Sequence, residues 1–432
     1  MQLNKKLGLA VASLLVSTQG HADDWLVDSG MLLYSETDSE GQDRVSVVEP
    51  VVIATKEYDT NDFFRYTVVF DALTGASPNG APALTVSQEF PGFVVAAGET
   101  PLDNGFEDQR LAMGVVRGKP FDHGASRYEM GANFSVERDY LSLGSSLLVA
   151  KDSADKQTTV SGSLGLSFDV ISPRGGLRPE FGSIFDTVTA PSGRFTLKDD
   201  DDDEDEDGYE DDDDFLEGEK KLTLEGLIGI SHVLNQYTVL SANYGLSLSN
   251  GYLSDPYKVV ALLDTNGRAE DYLWEKRPDK RVRQTLAGKM VTALGEHSLH
   301  LSYRYFRDDW GIASHTGDME FYLRAGDKWQ LRPHLRYSRQ SAADFYVPYL
   351  AASDDLPTYA SSDYRLGGLT TATAGMKIIY HLPDDRRISL NLEQVKQNPD
   401  SWDGLTLNSE WIAEGPPSVT FYAITIGYRT KW

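Results

Sequence analysis

Residues 419–432 read VTFYAITIGYRTKW, and their side chains alternate between two kinds. One set is apolar or aromatic and comprises Tyr422, Ile424, Ile426 and Tyr428; the other is small, polar or basic and comprises Ala423, Thr425, Gly427 and Arg429. A period of two predicts a β-strand, and these two faces are typical of a barrel strand between lipid and a watery lumen. An aromatic ending such as Trp432 is typical of the strand that outer-membrane barrels present to their assembly machinery, which we expect as a partner.

The same alternation recurs along the chain and predicts an all-β protein. We expect a closed antiparallel transmembrane β-barrel of about sixteen strands, within about fourteen to eighteen, with long extracellular loops. The predicted strands include 320–325 and 363–380. Tight turns at 234–236, 294–296, 325–327 and 383–385 alternate with long connections at about 74–109, 172–218, 250–280, 341–362 and 396–417. Since short turns face the periplasm in such barrels, both ends of the barrel chain should lie there. A soluble β-sandwich is the alternative.

The N-terminal segment resembles a secretory signal. Lys5 and Lys6 precede an apolar stretch at 7–16, and small residues at 20–22 fit a cleavage site. We therefore predict a signal peptide at 1–22, a single barrel at 23–432, and the outer membrane of a Gram-negative bacterium as its location. Outer-membrane lipid and lipopolysaccharide are then its surroundings.

Composition excludes several classes of function. The chain has no cysteine, so disulfides, thiolate metal sites and cysteine catalysis are absent. The formal net charge is −26, which argues against a nucleic-acid partner. No motif requires a cofactor, and no motif identifies the protein as an enzyme.

About half of the excess negative charge lies in one predicted extracellular loop, 199–214, where fourteen of sixteen residues are acidic. Within it, carboxylates fall at positions 1, 3, 5, 9 and 12 of the calcium-loop template, with Gly208 at position 6. The candidate calcium ligands are Asp203, Asp205, Asp207, Asp211 and Asp214. The alternative is a solvated acidic loop that collects divalent ions loosely.

Calcium should protect this acidic loop from proteolysis, because divalent ions relieve the repulsion between its carboxylates. We expect millimolar calcium to slow nicking between Lys198 and Lys220 without altering the barrel. Gel analysis of timed digests, with and without a chelator, measures this. Identical nicking under both conditions would show that no calcium site forms.

A second candidate site lies in one predicted extracellular hairpin. Asp308, Asp309 and His315 offer two carboxylates and an imidazole, a donor set that binds metal ions. Ser314 beside His315 suggests a hydrolase, although adjacent strand residues point to opposite faces. The alternative is a network of hydrogen bonds that holds the loops in register.

Two features of the predicted lumen leave alternatives open. Arginines on the inward faces, such as Arg332 and Arg336, either favour anions or pair with inward carboxylates such as Glu393. Loops around Pro78, Pro256 and Pro348 either constrict the lumen or cap it without gating. The sequence alone does not decide between these.

Several stretches resemble the family of predicted outer-membrane barrels called domain of unknown function 3570, DUF3570. They are FDALTGASPNG at 70–80, GYLSDPYK at 251–258, RPDKRVRQT at 277–285, DDWGI at 308–312 with SHT at 314–316, and QSAADFY at 340–346. The resemblance implies no assigned activity. Members are often encoded beside a thioredoxin-like protein, a flavin transferase and a small lipoprotein-like peptide, which implies an export or envelope redox system.

These observations favour a barrel that transports or exports a small solute or peptide, in an envelope redox-linked system if the resemblance holds. The first alternative is an outer-membrane enzyme with its site near Asp308 and His315. The second is a structural barrel that presents an acidic, calcium-binding surface loop.

Overall fold

The computed structural model describes most of the chain as a single β-barrel with folded connections. The described residues are 25–38, 41, 43–75, 79–90, 93–101, 107–173, 176–185, 218–402, 411–412, 415–416 and 418–431. The predicted signal peptide, the acidic loop at 199–214 and Trp432 lie outside them. No helix of the described residues is long and apolar enough to cross a membrane.

Sixteen strands form the closed antiparallel barrel, which confirms the predicted fold. They are β1 (Trp25–Thr37), β2 (Asp43–Asp59), β3 (Asp62–Gly75), β6 (Glu107–Phe121), β7 (Ser126–Val136), β8 (Tyr140–Asp152), β9 (Thr158–Ile171), β10 (Glu219–Asn235), β11 (Thr238–Gly251), β14 (Lys280–Leu294), β15 (His297–Asp308), β16 (Ala313–Ala325), β17 (Trp329–Gln340), β19 (Leu369–His381), β20 (Arg387–Pro399) and β21 (Val419–Lys431). The first and last strands close the barrel, in a register that runs from Leu26↔Lys431 to Thr37↔Thr420. Closure leaves no edge strand with unpaired backbone N–H and C=O groups, as a membrane interior requires.

The connections sort by length between the two ends of the barrel. Because the strand number is even, Trp25 and Lys431 lie at one end, where the chain makes only short turns; we call this the short-turn end. All five long connections lie at the opposite end. The structure thus confirms that both ends of the barrel chain lie with the short turns; that this end faces the periplasm stays a prediction.

Two predicted strand limits are wrong. The strand predicted at 363–380 begins at Leu369, because Tyr364–Leu366 forms a 3₁₀ turn in which the Asp363 side chain accepts a hydrogen bond from the Arg365 backbone N–H. The strand predicted at 320–325 begins earlier, at Ala313. Local hydrogen bonding at the barrel mouth explains the first difference, since the period-two pattern continues through residues that leave the sheet.

The two faces of the wall differ as the alternation predicts. Outward side chains are apolar and exposed, for example Ile228 at 64 % and Leu164 at 61 %. Inward positions on β7 to β11 carry mostly small or polar residues, and Gly144 lies directly opposite Asn133. An apolar outer surface around a polar interior is the arrangement of a transmembrane barrel.

In the part of the long connections that the structure describes, five further strands are present and fold together. These strands are β4 (Gln88–Phe90), β5 (Phe93–Val95), β12 (Val259–Leu263), β13 (Ala269–Trp274) and β18 (Tyr349–Ala351). β12 pairs antiparallel with β13 and parallel with β18, so it joins two connections in one small sheet. We call the described residues of these connections the cap: 79–90, 93–101, 176–185, 252–279, 341–368, 400–402 and 411–412.

The cap has its own hydrophobic core, to which the long connections contribute. Val259, Ala261, Leu263 and Tyr272 are fully buried. They pack with residues of the other connections: Ala81, Leu84, Val95, Ile184 and Ile412. Apolar burial on this scale is what stabilises a small domain, so the long connections are a folded unit and not separate loops.

Contacts between the described residues of the cap and the barrel lie all around its mouth, and three of them show how far the cap reaches. Tyr364 packs with Val419 at the β21–β1 junction. The Tyr257 hydroxyl donates to the Asp139 carboxylate between β7 and β8. The Phe345 ring meets Trp310 between β15 and β16, at 5.1 Å between ring centroids. The closed strand order separates these places by five or six strands each, so the cap spans the mouth.

Candidate functional site

The first predicted site cannot be compared with the structure. Its five calcium ligands, Asp203, Asp205, Asp207, Asp211 and Asp214, lie outside the described residues. The calcium hypothesis therefore stays a prediction.

The second predicted site is described, and its carboxylates hold the barrel rim. The Asp308 side chain is fully buried and accepts hydrogen bonds from Arg281 Nε at 2.9 Å and from the backbone N–H of Ile312, also at 2.9 Å. Asp309 accepts from the Val282 backbone N–H at 2.8 Å. These bonds tie the β15–β16 turn to β14.

His315 lies on the other face of the wall. Its Nδ1 is 2.5 Å from the Tyr303 hydroxyl, and its ring contacts Tyr305, both on the outward face of β15. Asp308 points inward, because it lies an odd number of positions along the strand from these tyrosines. The structure therefore does not bring Asp308, Asp309 and His315 together as one metal or hydrolytic site.

One group of carboxylates that the sequence did not single out does converge. Asp108, Glu137 and Asp139 place one oxygen each within 4.8 Å of one another at the mouth of the barrel. Burial raises the pKa of Glu137 to about 7, and the Asp108 charge adds to that effect. Oxygen ligands in this arrangement could hold a divalent cation. Arg110 already offers a positive charge 3.9 Å from Glu137.

Buried charges join two connections inside the cap. Arg277 donates from Nη2 to Glu275 Oε2 and to Asp363 Oδ2, each at 3.0 Å, and both carboxylates are almost fully buried. Arg365 donates to Asp363 at 2.6 Å and reaches Asp255 at 3.3 Å. We call these five residues the cap ion network.

The two buried carboxylates of the cap ion network respond differently to their surroundings. Burial raises the pKa of Glu275 to about 7, although Arg277 opposes this. Burial also acts to raise the pKa of Asp363, but hydrogen bonds and charge from Arg365 outweigh it and hold that pKa well below its usual range. Asp363 is therefore the permanent anion of the network, while Glu275 is neutralised at little energetic cost.

Sequence reasoning missed the cap, although one signal was present. The apolar run at 259–263 and the run at 269–274 flank Asn266-Gly267, a dipeptide typical of hairpin turns. This pattern predicts β12 and β13. It does not predict the pairing with β18, which comes from a connection more than seventy residues later in the chain.

The lumen wall combines paired and unpaired charges. His334 lies 2.9 Å from both Asp318 and Glu393, and Arg336 donates to Asp318 at 2.8 Å. Glu393 thus pairs with a histidine and not with an arginine. The sequence left open whether the inward arginines favour anions or pair with inward carboxylates. For Arg336 the structure supports pairing with a carboxylate.

The chain is similar, at low sequence identity, to several solved structures of outer-membrane proteins. A bacterial polysaccharide outer membrane secretin is 8 % identical with a TM-score of 0.45, over 95 % of this chain and 99 % of that chain. A mutant of the monoaromatic hydrocarbon channel TodX is 11 % identical with a TM-score of 0.41, over 98 % and 94 %. A mutant of the ferric enterobactin receptor PfeA from Pseudomonas aeruginosa is 9 % identical with a TM-score of 0.44, over 93 % and 59 %.

The sequence comparisons identify a family without an assigned activity. No curated protein matches the chain. The family model described as "Protein of unknown function (DUF3570)" matches residues 6–413. This match spans nearly the whole sequence, and the chain therefore belongs to the DUF3570 family.

Proposed function

We propose that the protein is a transport barrel of the outer membrane of a Gram-negative bacterium, which carries a small solute or peptide and is gated by its cap. The apolar outward face supports a position in a membrane. Barrels of sixteen strands leave an aqueous lumen that wall side chains do not fill. Small inward residues on β7 to β11, such as Gly144 and Ser146, leave that space open.

One observation carries the proposal: a separately folded cap spans the mouth of a polar lumen. A barrel with only a structural role has no need of a charged, water-filled interior, and it gains little from a folded cover above it. A transport barrel needs both, because an uncovered barrel of sixteen strands would let solutes cross without control. The enzyme alternative gains no support, since Asp308 and His315 lie on opposite faces.

Removing the small sheet of the cap should open the lumen. Replacing 259–274 by a short Gly-Ser linker deletes β12 and β13, while the barrel hydrogen bonds close without them. In planar bilayers the full-length protein should show low or intermittent conductance, and the shortened variant a steady one. A Gly-Ser replacement of the turn at 153–157, at the short-turn end, is the matched control and should conduct like the full-length protein.

Folding of each variant is checked by its heat-dependent migration on gels. A shortened variant that folds and inserts but does not conduct would contradict the transport proposal and favour a structural barrel.

A further inference from the structure

Basic residues gather on the lumen wall near the short-turn end, opposite the cap. Arg332, Lys377, Arg387 and Arg429 come from β17, β19, β20 and β21, and each lies within four residues of a strand end. The strand register places all four on the inward face. We call them the basic wall cluster.

Like charges within the basic wall cluster lie directly opposite each other. Arg332 is the cross-strand partner of Lys377, and Arg387 is the partner of Arg429. Arg332, Arg387 and Arg429 all lie close enough to Lys377 to repel its charge. Directly opposed like charges destabilise a sheet. An anion bound between these residues near the short-turn end would therefore stabilise the wall.

Carboxylates compensate only part of this charge. Asp28 binds Arg429, with 2.6 Å between Nη2 and Oδ2, and Glu320 near the cluster accepts a hydrogen bond from Tyr322 at 2.8 Å. Among the described residues, Lys377 and Arg387 have no carboxylate within ion-pair distance, although the charge of Glu320 acts on Lys377 and that of Asp28 on Arg387. The cluster therefore keeps an excess of positive charge that faces the lumen.

Arg332 is held in place without a carboxylate. Its Nη2 donates to Gln330 Oε1 at 3.1 Å, and its guanidinium lies 4.2 Å from the ring centre of Tyr322. Its buried Nε has no hydrogen-bond partner among the described residues. A positioned guanidinium with a donor to spare is suited to an oxyanion, which accepts two parallel N–H bonds.

We propose that the basic wall cluster binds an oxyanion, the phosphate or carboxylate group of a small solute. Lys377 and Arg387 supply unpaired charge, and Arg332 supplies directed donors. Rings of Arg and Lys serve this purpose in pores for anions and phosphates. That the bound oxyanion is the transported solute rests on the transport function proposed above; the binding site itself does not.

Binding to the full-length protein in neutral detergent tests the site directly. Calorimetric titration with inorganic pyrophosphate, and separately with succinate, should show binding of at least one. The double variant Lys377→Gln with Arg387→Gln should weaken that affinity by about tenfold or more, because two unpaired cations are lost. The matched control is Lys328→Gln with Arg386→Gln, which removes the same charge from turns at the same end and should bind like the full-length protein.

Pyrophosphate and succinate distinguish binding of a phosphate group from binding of a carboxylate group. Thermal unfolding is a second, independent measurement. Without ligand, the Lys377→Gln, Arg387→Gln barrel should unfold at a higher temperature than the native one, because repulsion is relieved. The proposal would be overturned if neither titrant bound, or if the control variant lost as much affinity as the double variant. It would also be overturned if chloride competed for the site as well as the titrants do. Binding without conductance in the cap-shortened variant would leave the oxyanion site standing and contradict transport.

Discussion

The Arg277→Ala variant should have a cap that opens far more often than the native one. Truncation leaves Glu275 and Asp363 buried next to each other without their shared cation. Removing one partner of a buried ion pair costs about 3–5 kcal/mol. We expect the low end of this range, about 3 kcal/mol, because Asp363 keeps Arg365 as a partner and Glu275 can be protonated.

Amide hydrogen exchange in β12 measures the opening of the cap. These amides exchange when the cap opens locally, so their rates report its stability separately from that of the barrel. A loss of about 3 kcal/mol should speed exchange at 259–263 by roughly a hundredfold. Barrel amides in β10 and β11 should be unaffected, since barrel closure does not depend on the cap.

A matched substitution in the same network should be mild. Glu275→Gln keeps the shape and the hydrogen-bond acceptor, and burial already raises the Glu275 pKa to about 7, so a neutral group suits this position. Exchange in β12 should change by less than about tenfold. If Arg277→Ala exchanged like Glu275→Gln, the cap ion network would not be what holds these two connections together.

Tyr272→Ala should destabilise the cap to a similar extent through packing. The side chain is fully buried in the cap core, with its ring 5.5 Å from that of Phe90 in an edge-on contact. Truncation of a buried aromatic residue to alanine costs about 3–5 kcal/mol, because the surrounding side chains only partly fill the cavity. Faster exchange in β12 and a higher conductance in bilayers should both follow.

Tyr272→Phe is the control for this variant and should not destabilise the cap. The Tyr272 hydroxyl is buried and has no hydrogen-bond partner among the described residues. Tyr272→Phe removes that unpaired group and keeps the ring, so the cap should be as stable as the native one or more stable by about 1 kcal/mol. A clearly destabilised Tyr272→Phe variant would show that the hydroxyl is bonded after all.

Together these variants connect cap stability to transport. If the cap is the gate, conductance should rise in the order of cap opening, from Tyr272→Phe through Glu275→Gln to Tyr272→Ala and Arg277→Ala. A conductance that is the same in all four would separate the cap from any gating role. That result would not contradict the fold of the cap or the proposed oxyanion site at the short-turn end.

Periodicity and turn residues in the sequence determine the barrel of this protein. The alternation at 419–432 sets both faces of β21, and short turns alternate with long connections at the predicted places. These features are local, since each strand carries its own period-two pattern and each tight turn its own residues. That is why the approximate strand number could be predicted, together with the sorting of short turns and long connections between the two ends of the barrel. Strand ends such as that at Leu369 could not be predicted in this way.

Only the tertiary structure decides what the long connections and the inward charges do. Arg277 meets Asp363, and Arg332 faces Lys377, only because the closed strand order brings distant segments together. The register of the β15–β16 hairpin leaves Asp308 and His315 on opposite faces although they are close in sequence. Pairing between distant segments depends on register and packing energy, which no local pattern encodes, so the cap and the basic wall cluster become visible only in the folded barrel.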